Sequence, residues 1–257
     1  MVTMKRNGGS SETNRGRIWQ DSDPVFPRLL GERLCLDFAN TVEPRTGSSP
    51  EEFLRDYSDL VGWGRHVGVF SAAQARRLLA EGECRPEIAV ATFARALALR
   101  EAIYRVFRAV AHGDMPAPGD LATVHEEHLA ALARARLVAT GAGVDLAWSD
   151  DEPSLDRVLW PVARSAVDLL VGRDSARIKE CRGPDGGCGW LFYDVSKNAS
   201  RRWCSMEGCG SVAKMRRYRA RRHAARPGRQ GSSPGHVAPP ASGTARRGRS
   251  KEPHAEQ

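Results

Sequence analysis

Cys181-Arg-Gly-Pro-Asp-Gly-Gly-Cys188, then 15 residues, then Cys204-Ser-Met-Glu-Gly-Cys209 and at once a basic run ending Lys214-Met-Arg-Arg-Tyr-Arg-Ala-Arg-Arg222: this stretch decides how the chain is read. Two close thiol pairs, separated by a span long enough for a hairpin, are what a tetrahedral zinc site needs. Each pair supplies two thiolates from one tight turn, and the segment between folds back to bring the pairs together. Cys181, Cys188, Cys204 and Cys209 are therefore expected to hold one structural Zn2+. With all four positions filled by protein thiolates, none is left for water or substrate, so the metal should fold the module and catalyse nothing.

Disulfides are the rival reading. Met1–Ser10 carries no apolar signal segment, and no stretch approaches the ~18 continuous apolar residues of a membrane span. The chain is expected to be cytoplasmic and reduced, where such spacing favours metal over cystine. Cys35 and Cys84 lie far from the cluster and read as buried, inert thiols.

At 257 residues, 41% of them hydrophobic, the chain can hold one medium domain and one small one. Its net charge of +8 is unevenly placed. Residues 173–226 carry 14 Lys and Arg against 5 Asp and Glu, residues 227–257 carry 5 against 2, and residues 1–172 carry 20 against 24. That asymmetry is the footprint of a polyanion-binding module attached to a neutral-to-acidic domain.

Residues 1–23 and 227–257 are low in apolar content and read as disordered. Between them, 24–172 form one domain and 173–226 the zinc module. Arg33-Leu-Cys-Leu-Asp-Phe-Ala-Asn40 alternates and reads as a half-buried strand. Ser49-Pro50-Glu51-Glu52 has the signature of a helix start, as does Ser71-Ala-Ala-Gln74. A long helix is expected from Pro86 to His112, closed by Gly113, and another from Asp120 to Ala135. Leu137–Thr140 and Val144–Trp148 read as a hairpin, and Ser154–Val171 as a helix stopped by Gly172. The fold class is α+β with helix dominant. In the zinc module, Trp190–Asp194 reads as a strand and Gly208–Ala225 as a helix carrying the last ligands at its start, a treble-clef-like arrangement.

The helix after Cys209 carries Lys214, Arg216, Arg217, Arg219, Arg221 and Arg222, a density suited to phosphates, where each neutralised charge releases counterions. Arg201 and Arg202 are further phosphate candidates; packing over Trp203 or pairing with Asp194 is their competing use. Asp37 and Asn40 are candidates to line a ligand pocket, against the simpler role of capping backbone in the following turn. His125-Glu-Glu-His128 spaces its histidines three apart, not the four of a zinc-protease helix, and reads as solvated surface. No nucleophile triad, phosphate-cradling Gly loop or catalytic carboxylate pair stands out, so no enzyme activity is expected.

Cys188-Gly-Trp-Leu-Phe-Tyr-Asp194, Ser196-Lys-Asn198, Ser200-Arg-Arg-Trp-Cys-Ser-Met206 and Cys209-Gly210 followed by Lys214 closely resemble the CGNR zinc-finger family of bacterial proteins. Leu34-Cys-Leu-Asp-Phe-Ala-Asn-Thr41 and Tyr57-Ser-Asp-Leu-Val-Gly-Trp63 resemble the ABATE domain that usually precedes that finger. The resemblance spans residues 28 to 222. It implies a transcription regulator with a zinc finger that binds double-stranded DNA and an N-terminal domain that senses a small-molecule effector. The family's tetrapeptide reads Cys209-Gly210-Ser211-Val212 here, without its Asn and Arg, and the first knuckle is about two residues longer than in relatives. A zinc-dependent RNA- or protein-binding module is the alternative. A single small finger contacts few bases, which makes a homodimer a partner to test for; no membrane association is expected.

Overall fold

A computed structural model of the chain describes residues 26–46, 49–141, 143–148, 154–172, 174–183 and 187–224. The expected disordered ends, 1–23 and 227–257, lie outside these residues. The chain divides into two compact units, Met1–Tyr218 and Arg219–Gln257. Of the second, residues 219–224 are described, as the end of a helix.

Local signals set most element boundaries. Helix α1 is Leu34–Ala39, and strands β1 (Val42–Glu43) and β2 (Glu51–Glu52) follow. Asp56 caps α2 (Tyr57–His66) by accepting from the Asp59 amide. Ser71 and Gln74 form the full reciprocal capping box that opens α3 (Ala72–Cys84). Helix α4 (Pro86–His112) has Pro at its first turn and ends on Gly113 at φ 79. There the Asp114 amide donates to Ala109 O and the Gly113 amide to Val110 O, satisfying carbonyls a longer helix would leave open. Helix α5 (Pro118–Ala133) leads into β3 (Ala135–Thr140) and β4 (Gly143–Trp148), paired antiparallel from Ala135↔Trp148 to Thr140↔Gly143. Helix α6 (Leu159–Val171) closes the body.

The core gathers Leu36 and Phe38 of α1, Leu60 and Trp63 of α2, Leu99, Ile103 and Phe107 of α4, and Leu159 and Val162 of α6. Beyond it, β5 (Ile178–Glu180) pairs antiparallel with β6 (Leu191–Tyr193), and α7 is Ser211–Ala224. The fold is the helix-dominant α+β arrangement read from the sequence, with a small four-cysteine module after it.

Three local readings are corrected. Within residues 33–40, read as a strand, Leu34–Ala39 form a helix. The alternation of Leu34, Leu36 and Phe38 suggested one buried face, but Cys35 and Ala39 are also fully buried, and Cys35, Phe38 and Ala39 share a helical face at i, i+3 and i+4. Six residues give too few periods to separate the two patterns.

Ser49-Pro50-Glu51-Glu52 does not open a helix. Glu51 and Glu52 pair with Glu43 and Val42 as β2, and the Glu52 carboxylate forks onto Arg100 at 2.6 and 2.7 Å. That bidentate pair to Arg100, a residue only 4% exposed, outweighs a local cap. Cys84, read as buried, is exposed.

Candidate metal centre and nucleic-acid interface

The first thiol pair lies within the connection that joins β5 to β6, Cys181 directly after β5 and Cys188 shortly before β6. The Cys181 amide donates to Trp190 O at 2.8 Å, extending the ladder toward the ligands. Gly187 sits at φ 80, and a Cβ there would lie 2.1 Å from Cys181 O and 2.3 Å from the Gly183 amide, so the knuckle closes only on glycine. In the second pair, Ser205 accepts from the Gly208 amide through its hydroxyl and from the Gly210 amide through its carbonyl. The resulting wide turn, Met206–Gly210, runs straight into α7.

All four Sγ atoms lie within 4.8 Å of one another, with Cys188 to Cys204 at 3.5 Å and Cys204 to Cys209 at 3.8 Å. Tetrahedral zinc with ~2.3 Å bonds to sulfur requires sulfurs roughly 3.8 Å apart, which these residues match. Thiol donation from Cys188 and Cys204 favours ionisation at Cys181, and the same hydrogen bonds hold the protons on Cys188 and Cys204 and push their thiols up, with burial and the neighbouring thiolate charge adding to the effect. Only a cation lets the whole set ionise at this spacing. The cysteines form a site for one structural zinc ion.

Trp190 and Trp203 pack against the ligands, with Phe192 completing this small core. Strand β6 is buried on both faces: Leu191 and Tyr193 belong to the core of the helical body, while Phe192, like Trp190 just before the strand, belongs to the metal core. The partner of β6 is β5, and the segment after it, from Ser196, forms a turn held by Asp194. That buried carboxylate accepts from the Ser196 and Arg201 amides, the Ser196 hydroxyl and Lys179 Nζ. Although burial opposes its ionisation, these donors, Lys179 foremost, hold Asp194 well below the usual carboxylate range.

Asn40 and Asp37 join body and module. Asn40, 2% exposed, donates from Nδ2 to Leu191 O at 2.8 Å and accepts from the Leu191 amide at 2.9 Å. Trp190 Nε1 donates to Val42 O, and the Arg45 amide donates to Cys188 O at 2.7 Å. Asp37 accepts from the Gly31 amide at 2.7 Å, and Gly31 O in turn accepts from the Tyr193 amide. The polar atoms of both residues therefore meet backbone.

Burial pushes the Asp37 carboxyl from 3.8 to about 7, with Glu32 adding to the effect and the Gly31 and Leu30 amides and Arg201 opposing it. A carboxyl that ionises less readily folded than unfolded makes the native state hold more protons between about pH 4 and 7. Its contribution is complete below about pH 4 and is lost as the pH rises through 7. Asp37→Asn, which keeps the acceptor and removes the charge, should raise the melting temperature by several degrees at pH 8 and leave it nearly unchanged at pH 4. Equal shifts at both pH values in thermal scans would show that ionisation of Asp37 plays no part.

Helix α7, SVAKMRRYRARRHA, contains six Lys and Arg residues and no acid. Lys214, Arg216, Arg217, Arg219, Arg221 and Arg222 are all exposed. The Arg217 guanidinium lies 5.8 Å above the Trp203 ring, which ties the helix to the metal core. Ser211 donates to Met206 O, and Val212 is 47% exposed, so the two residues that depart from the family tetrapeptide sit on the surface at the start of α7.

The two preceding arginines diverge. Arg202 is exposed. Arg201 turns inward: Nε donates to Trp203 O at 3.0 Å, its terminal nitrogen donates to Leu30 O and Cys204 O, and the guanidinium lies over Phe192. Arg201 is thus a clamp inside the module. Lys179 and Arg182 stand close to these groups, and their flanking of Cys181 is the sequence signal that marks them.

No helix of the described residues is long and apolar enough to cross a membrane. Residues 32–173 match the family model described as "ABATE: Putative stress-induced transcription regulator", and residues 177–222 match the one described as "CGNR zinc finger". No curated protein matches the chain.

Proposed function

Since the chain belongs to the ABATE family, whose model covers more than half of it, and carries a CGNR zinc finger at its C-terminal side, we propose that it is a DNA-binding transcription regulator. The zinc holds the module in shape, and α7 with Arg202 meets the phosphates of duplex DNA. The body acts as the sensor of a small-molecule effector, and no step of the function is catalytic. The observation that carries this reading is the composition and exposure of α7: six cations and no acid on a helix that starts within two residues of the last zinc ligand.

Six exposed cations on one short helix favour polyanions through counterion release. Sequence preference would come from one or two of these arginines reaching guanine edges in the major groove. Selection of the zinc-loaded protein against a random duplex pool, beside a chelated sample, tests the whole reading. A motif enriched only with zinc is expected, and its half-site symmetry would report a homodimer. Equal or tighter binding to single-stranded RNA would favour the RNA-binding alternative.

Within this reading Arg217→Ala should weaken duplex binding severalfold and reduce the slope of log K against log salt by about 1. Fluorescence anisotropy over a salt series measures both. An unchanged slope removes Arg217 from the phosphate contacts.

A further inference from the structure

A cleft of about 550 Å3 opens between the C-terminal end of α4, the first zinc knuckle and the start of α7. Its volume falls in the range of small-molecule sites. The wall is cationic: Lys179, Arg182, Arg202, Arg216 and Arg217 line it beside His112, and Glu180 is the one acid among its described lining residues.

Glu180 is already paired within the body. Its Oε2 lies 2.5 Å from His112 Nε2 and its Oε1 3.4 Å from Arg108 Nε, and its side chain is only 8% exposed. Lys179 is held by Asp194 and by the Ala199 and Arg201 carbonyls. The remaining cations differ. Arg182 and Arg202 are exposed and have no protein partner among the described residues, and Arg217 meets only the face of Trp203 there. Guanidinium groups gathered on a concave surface repel one another until an anion enters, and their planar donor forks match phosphate oxygens two at a time.

We propose that this cleft binds a small phosphorylated molecule, its phosphate held by Arg182 and Arg202 with Arg217 beside them. The site is built jointly from the end of α4 and the zinc module, so it is absent from either segment alone. Occupancy would withdraw Arg202, Arg216 and Arg217 from duplex phosphates and so weaken DNA binding. That consequence rests on the DNA-binding reading; occupancy of the cleft does not.

Isothermal titration of the zinc-loaded full-length protein with ADP and, separately, with inorganic pyrophosphate tests the proposal, with adenosine as the uncharged control. Saturable binding of one ADP or one pyrophosphate per chain is expected, and none of adenosine. Stronger ADP binding assigns the site to nucleotides, and equal or stronger pyrophosphate binding assigns it to the phosphate group itself. The double variant Arg182→Ser/Arg202→Ser, checked for zinc content and circular dichroism, should bind at least about tenfold more weakly. Arg76→Ser/Arg77→Ser, which removes equal charge from α3, should bind as the parent does.

Non-saturating heats, or equal losses in the two double variants, would overturn the site in favour of diffuse attraction to a basic protein. Anisotropy with duplex DNA on the same samples keeps the two readings apart. Saturable ADP binding without any duplex binding would overturn the DNA reading and leave the cleft intact.

Discussion

Replacing Cys204 with serine should reduce bound zinc from one per chain to almost none after dialysis against a chelator, and abolish nucleic-acid binding with it. Cys204 is buried at 3.5 Å from Cys188 and 3.8 Å from Cys209, so it links its own knuckle to the first. A serine hydroxyl is a poor zinc ligand and cannot supply the thiolate charge that balances the ion. Structural zinc contributes about 10–16 kcal/mol to the folding of small modules, far more than a four-residue metal core of this size can replace.

The damage should not stop at the ligands. Leu191 and Tyr193 of the module lie in the core of the helical body, so loss of the knuckles loosens β6 and exposes that core. Hydrogen exchange should therefore rise across 178–210 and also at residues 34–42, which pack on β6. Metal analysis decides the matter: retention of one zinc per chain by Cys204→Ser would remove this residue from the ligand set.

The second large effect is expected from Asn40→Ala. Its side chain satisfies both backbone groups of Leu191, and alanine would leave an N–H and a C=O buried without partners. Each such group costs about 1–3 kcal/mol, so a loss of roughly 2–5 kcal/mol in unfolding free energy is expected. For a domain whose stability is of the order of 5–15 kcal/mol this is severe. Zinc content should stay at one per chain, because no ligand is touched. Asn40→Asp should be no better, since a carboxylate accepts from the Leu191 amide but cannot donate to its carbonyl. Denaturant titration measures the change; a loss below about 1 kcal/mol would mean that water takes the place of the amide.

The features legible in the chain alone share one property: their partners are near neighbours in sequence. The cap at Ser71 is answered by Gln74 three residues on, and the end of α4 by the Gly113 backbone. Within each knuckle the ligands are five or seven residues apart, and the hairpin between Thr140 and Gly143 turns in two residues. Such signals survive because the geometry of a few bonded residues determines them wherever the segment ends up. The two misread segments failed for the opposite reason. Glu52 looked like a helix-capping residue and became the partner of Arg100, 48 residues away. The strand-like alternation at 34–38 gave way to a helix buried on almost every side by α4, α6 and β6.

The zinc ligand set, the long central helix and the basic composition of α7 were thus written into local spacing and composition. The use made of Asn40, Asp37 and Arg201 was not. Their types announce only that they can donate or accept hydrogen bonds, and their partners lie at Leu191, at Gly31 and at Leu30 and Cys204. The same holds for the cationic cleft, whose walls come from residues 111–112, 179–183, 201–203 and 213–217. Burial and long-range pairing depend on which surfaces the chain brings together, and that information appears only once the helices and the zinc hairpin have packed.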